Sequence, residues 1–177
     1  RSSYYVIIED SLGCRVVDSV FISEPDVLEV EASLVAHVTC YNDSNGIAHA
    51  VGIGGTFPYT FVWDSINMQT GDTAYNLTPE VHTVYITDAK GCESSDTVTI
   101  TQPTELHINI VDSLTILPYC TGVNSASLTA VASGGTPAYT YVWDDNAVIP
   151  QTTSTATALF AGEYTITVTD SRNCTAT

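Results

Sequence analysis

Gly134-Gly135-Thr136-Pro137-Ala138-Tyr139-Thr140-Tyr141-Val142-Trp143-Asp144 has a copy 80 residues earlier, Gly54-Gly55-Thr56-Phe57-Pro58-Tyr59-Thr60-Phe61-Val62-Trp63-Asp64. Each copy reads as a turn followed by a strand. The glycine pair permits positive φ at a tight corner and the proline stiffens the exit. The Tyr/Phe/Val/Trp run that follows favours β-structure. Two copies aligned without insertion mean a chain built from repeats of about eighty residues.

Working outward, Tyr4-Tyr5-Val6-Ile7-Ile8-Glu9-Asp10-Ser11-Leu12-Gly13-Cys14 aligns with residues 82–92 and 164–174, each ending in Asp-x-x-Gly/Asn-Cys. Val84/Ile86 and Ile166/Val168 alternate with more polar side chains, the period-two pattern of a half-buried strand. Asp-x-x-Gly/Asn is turn chemistry, since Gly and Asn accept a left-handed backbone. Val20/Ile22 and Val98/Ile100 then mark a further strand, which ends at Glu24-Pro25 and Gln102-Pro103. The boundaries expected from this alignment are residues 1–25 as the closing hairpin of an incomplete repeat, 26–103 as a complete repeat, and 104–177 as a repeat lacking its last strand. A lone hairpin is marginal in water, so residues 1–25 call for upstream strands to order them.

No helical period occurs. About seven short strands per repeat, with one Trp on the third, predict tandem immunoglobulin-like β-sandwiches stacked head to tail, with Trp63 and Trp143 in the cores. Pro25 and Pro103 lead almost directly into the next strand, and junctions that short imply a stiff rod.

Composition narrows function. Of 177 residues, 20 are Asp or Glu and only 4 Lys or Arg, a net charge of −16. No basic stripe exists to neutralise phosphates, which argues against nucleic acid and an anionic membrane surface. No apolar run reaches the length of a membrane span, and Arg1-Ser2-Ser3-Tyr4 is no signal peptide, so the chain reads as an internal piece of something longer. The histidines, His37, His49, His82 and His107, are scattered without ligand spacing and read as surface or rim residues. Asp10, Asp88 and Asp170 recur at one place; capping their own turns explains them with less than calcium does. No nucleophile motif or phosphate-cradling loop occurs, and Asp144-Asp145 are sequence neighbours rather than carboxylates facing across a cleft. No catalytic residue, metal site or cofactor is expected.

Together, GGTFPYTFVWD, GGTPAYTYVWD and the run Leu159 to Asp170 before Arg172-Asn173-Cys174 resemble the SprB-type repeats of Bacteroidota cell-surface gliding adhesins. The middle repeat departs from the pattern, with Val81-His82 where Gly-x-Tyr is expected. The resemblance implies type IX secretion, an extracellular cell-surface place in very long tandemly repeated proteins, and no catalytic residue. It also implies that the partners are neighbouring repeats of the same chain and, through the full-length protein, the gliding machinery of the outer membrane.

Three roles fit such a chain. It can be a structural stalk, a carbohydrate- or cell-binding module, or a spacer in a secreted polysaccharide-degrading enzyme. The loops Asp64–Asp72 and Asp144–Gln151 differ between repeats, whereas a repeated ligand site should recur, and that favours the stalk.

Two sets of modifications are expected. Asp-Ser/Thr-apolar triplets place Ser11, Ser19, Ser65, Thr73, Thr97 and Ser113 in a motif resembling the O-glycosylation acceptor of Bacteroidota; chance would give roughly one or two such triplets. The cysteines, Cys14, Cys40, Cys92, Cys120 and Cys174, read as disulfides in an extracellular chain. Pairing inside each repeat, Cys40 with Cys92 and Cys120 with Cys174, is the simplest arrangement. In an up-and-down sandwich, however, Cys40 and Cys120 follow the first strand at one end, and the other three sit in the last hairpin turn at the opposite end. Those ends are a strand length apart, roughly 20 Å, and a disulfide needs Cα atoms within about 7 Å. The expected bond is therefore Cys40 to Cys174 across the junction, with Cys14, Cys92 and Cys120 bonded to other repeats.

Overall fold

A computed structural model of the chain describes residues 2–64, 68–111, 124, 126–144 and 150–177. Ser65, Ser113 and Cys120 lie outside the described residues. All regular structure among those described is β.

The chain opens with a hairpin of β1 (Ser2–Glu9) and β2 (Arg15–Ile22), paired Ser2 to Ile22 through Glu9 to Arg15. A β-sandwich follows. Its first sheet has the order β3 (Glu29–Ala36), β4 (Gly46–Ile53), β6 (Thr73–Leu77); its second has β5 (Thr60–Trp63), β7 (Val81–Thr87), β8 (Glu93–Thr99). The pattern recurs with β9 (His107–Ile110), β10 (Ala126–Ser133) and β12 (Thr155–Leu159) in one sheet. The facing sheet holds β11 (Thr140–Asp144), β13 (Thr165–Thr169) and β14 (Thr175–Ala176). Every neighbour pair is antiparallel, and the chain crosses between sheets in an immunoglobulin-like order. The described strands number six in residues 26–103 rather than about seven. Where a middle pair was expected, the described residues hold one strand, β6 or β12; residues 65–67 and 145–149, which precede them, lie outside the described residues.

The period-two pattern decides which side chains enter the core. On β7, His82, Val84 and Ile86 are buried while Val81 and Tyr85 are exposed. Trp63 is fully buried among Ala48, Ala50, Ala74, Val84, Val98 and Ile100, and Trp143 is nearly so among Ala126, Ala130, Ala156, Ile166 and Val168. The small alanines of one sheet make room for the indole of the other, the size complementarity that close packing requires. Each indole removes on the order of 200 Å² from water, worth up to roughly 5 kcal/mol. Its polar handle is satisfied too: Trp63 Nε1–H donates to the Gly71 carbonyl at 3.1 Å and Trp143 Nε1–H to the Thr153 carbonyl at 2.9 Å.

His82 corrects the expectation of rim histidines, being 2 % exposed, and β7 begins cleanly at Val81 without the expected glycine. The reason is a substitution of equivalents. His82 Nε2 lies 2.9 Å from the carbonyl of Thr78, four residues back, and Tyr164 Oη donates to the carbonyl of Phe160, also four residues back, at 2.9 Å. Imidazole and phenol close the same loop.

The opening hairpin repeats the apolar pattern of β7–β8, and among the described residues no sheet opposes it. Val6, Ile8, Val20 and Ile22 occupy the places of buried Val84, Ile86, Val98 and Ile100, yet all four are more than half exposed. Sequence pattern alone does not bury a strand; the second layer does.

Candidate functional site

The recurrent Asp joins the two halves of the repeat motif. Asp170 follows β13 and is 4 % exposed. Its Oδ1 accepts the backbone N–H groups of Arg172 at 2.8 Å and Cys174 at 2.9 Å, closing its own turn, while Oδ2 accepts the N–H of Thr136 at 2.8 Å in the Gly-Gly-Thr turn. Asp88 makes the same three contacts with Lys90, Cys92 and Thr56, at 2.8, 2.9 and 2.8 Å. Burial pushes both carboxyls up, but the N–H donors outweigh it and hold them below the ordinary carboxylate value. Asp10 closes its turn on Leu12 and Cys14, whose N–H groups lower its pKa, Cys14 most. The aspartates therefore spend their oxygens on backbone N–H groups. Among the described residues, no three His, Cys, Asp or Glu side chains converge to hold a metal.

The glycine pair is required by this clasp. A Cβ on Gly134, at φ +75°, would stand 1.8 Å from the Glu105 carbonyl oxygen; one on Gly135, at φ +56°, would meet Asp170 Oδ2 at 2.8 Å. The tyrosine five residues on completes the corner, with Tyr139 Oη donating to the Gly134 carbonyl and Tyr59 Oη to that of Gly54.

A further pair is invisible in the compositional reading. The Gln69 side-chain amide donates to the Tyr75 carbonyl and accepts the Tyr75 N–H, and Gln151 does the same with Thr157. The same contact thus holds the carboxyl-terminal part of each loop against the middle strand in both repeats. The signal was a Gln-Thr pair six residues before the middle strand's third position in both copies.

Each Asp turn presents a cysteine. Cys174 is bonded to Cys40, which lies between β3 and β4, with Cα atoms 5.6 Å apart at a sequence separation of 134. Cys174 Sγ also lies 3.6 Å from the Thr39 carbonyl oxygen. The bond closes one side of a cleft of about 670 Å³ bordered by Tyr41, Asp43, Glu105, His107 and Asn173. Cys14 and Cys92, in the equivalent turns, are unbonded and exposed.

Of the expected glycosylation sites, Ser11, Ser19 and Thr97 are exposed; Thr73 is half-buried, with Oγ1 2.9 Å from Asp72 Oδ1. The histidines stand apart. His37 Nδ1 accepts the Thr101 N–H at 3.1 Å, His49 lies 4.0 Å from Asp72, and His107 lies 3.6 Å from Glu105.

Compared with known proteins, residues 118–148 match the SprB repeat family model, a segment that includes β10 and β11 and so the Gly-Gly-Thr turn and Trp143. No curated protein matches the chain.

Proposed function

From a chain that carries a SprB repeat over residues 118–148, we propose a structural stalk segment of a long, secreted, filamentous cell-surface adhesin serving gliding or surface attachment. SprB repeats are adhesin repeats, not an enzyme family, and an extracellular setting agrees with the disulfide. One observation carries the stalk reading: every side-chain device that recurs binds the chain to itself. The Asp clasp, the tyrosine corner, the glutamine pin and the buried indole are all spent on backbone groups or core.

The partners in this reading are neighbouring repeats and, through the full-length protein, the outer-membrane gliding machinery. Cys14, Cys92 and Cys120 bond to other repeats, and glycans on the exposed Asp-Ser/Thr sites cover strand edges that acidity alone protects incompletely. The test is a glycan array probed with the purified chain. A stalk gives no saturable binding; a saturable signal that Tyr41→Ala removes would instead make the junction cleft a carbohydrate site.

A further inference from the structure

Cys40 lies near the start of the first sandwich and Cys174 near the end of the second, so one covalent bond spans almost everything between the chain's two ends. We propose that this disulfide is a tension shunt that takes both sandwich cores out of the line of load. The proposal rests on the stalk reading only for its use in the cell, since the load path follows from connectivity.

Tension entering at the amino end runs along the opening hairpin and β3 to Cys40. There the covalent path divides. One branch is the 134-residue excursion through β4 to β13; the other is a single S–S bond. The short branch becomes taut first and holds the ends of the long branch a Cα distance of 5.6 Å apart. The load then leaves through β14. Trp63, Trp143 and all residues of both core clusters between Val38 and Val168 except Val38 itself lie on the slack branch. Without the bond, the same tension would pass through each sandwich in series. Resistance would then depend on hydrogen-bonded ladders, whose forced opening is governed by the unfolding rate.

The surrounding structure suits this role. Cys174 is itself 9 % exposed and is held at its backbone N–H by Asp170, whose other oxygen is anchored to Thr136 on the opposite turn. The shunt therefore meets the second sandwich at its most cross-linked corner rather than on a free loop. On the other side the opening hairpin and β3 stand between the amino end and the bond, so among the described strands of residues 26–103 β3 alone is one that load can peel.

Single-molecule pulling of the whole chain, held by its two ends, tests this. An extended chain spans about 3.5 Å per residue, so the oxidised protein can lengthen to roughly 15 nm and no further. Adding reductant to the folded protein, or substituting Cys40→Ser, should release about 45 nm more as the sandwiches unfold. Unfolding steps that reach this full length in the oxidised wild type would overturn the shunt, as would identical traces with and without reductant. If Cys40→Ser fails to fold, the reductant arm decides alone. Glycan binding by the chain would remove the stalk reading and leave these traces unchanged, so the two can fail separately.

Discussion

Asp170 Oδ2 accepts the Thr136 backbone N–H at 2.8 Å across 34 residues of chain, and Asp88 repeats the contact with Thr56 across 32 residues at the same distance. This carboxylate bridge makes a glycine-rich turn and a hairpin turn into one corner.

Replacing Asp170 by Asn should lower the melting temperature by roughly 5–10 °C, because one carboxylate oxygen becomes an N–H₂ that faces either the Thr136 N–H or those of Arg172 and Cys174 and leaves them without an acceptor. Asp10→Asn keeps an Oδ1 that can accept both local turn bonds and should change melting little. Thermal unfolding followed by Trp fluorescence, with Trp143 as reporter, checks both.

Acid should act on the same bridge. The folded Asp88 and Asp170 carboxyls sit below their ordinary value, so the stabilisation is complete above the unfolded pKa, about 3.9, and is lost as pH falls through the folded values. Urea midpoints should be level between pH 7 and 5 as regards these groups and fall below pH 4. The D88N/D170N double variant should show a shallower acid limb, since it has already lost that contribution; an equally steep limb would contradict the assignment.

Much of this corner was legible as parts. The Gly-Gly-Thr turn, the Trp strand and the Asp-x-x-Gly-Cys turn each announce themselves through local backbone chemistry, which is short-range and so written in adjacent residues. That Asp170 reaches Thr136 is a tertiary contact with no local pattern, and only the fixed recurrence of both pieces hinted at it. His82 was misplaced on the rim because histidine is usually polar surface, whereas here it fills the position of Tyr164 and makes the same loop bond. Of the expected middle pair, the described residues hold one strand in each repeat, β6 and β12, and hydrogen-bond partners rather than composition decide which part of a Thr-rich run is a strand.

Gly134→Ala should abolish folding of the second sandwich, costing at least about 4 kcal/mol, since its Cβ would overlap the Glu105 backbone and its φ is positive. Gly162→Ala, whose Cβ meets nothing closer than 3.9 Å and whose φ is ordinary, should be tolerated. Circular dichroism melts of the two variants side by side check the contrast.

Ala158 sits at φ 54° in β12 where Asn76 sits at φ 55° in β6. A Cβ in the left-handed region is costly and Asn bears it better, so Ala158→Asn should stabilise by about 0.5–1 kcal/mol in urea titration. A loss of stability would mean that Asn76 owes its place to something other than its backbone.

Protein purified from its native host should carry hexose-type mass additions on Ser11, Ser19 or Thr97, which are exposed, in preference to Thr73, whose hydroxyl is engaged by Asp72. Intact-mass analysis showing only the bare polypeptide would remove the glycan cover from the account.

The most direct test of a covalently stapled stalk is non-reducing peptide mapping of the natively secreted protein. A peptide pair joining Cys40 to Cys174 is the predicted result; Cys40 joined to Cys92, which would confine each bond to one repeat, would contradict it.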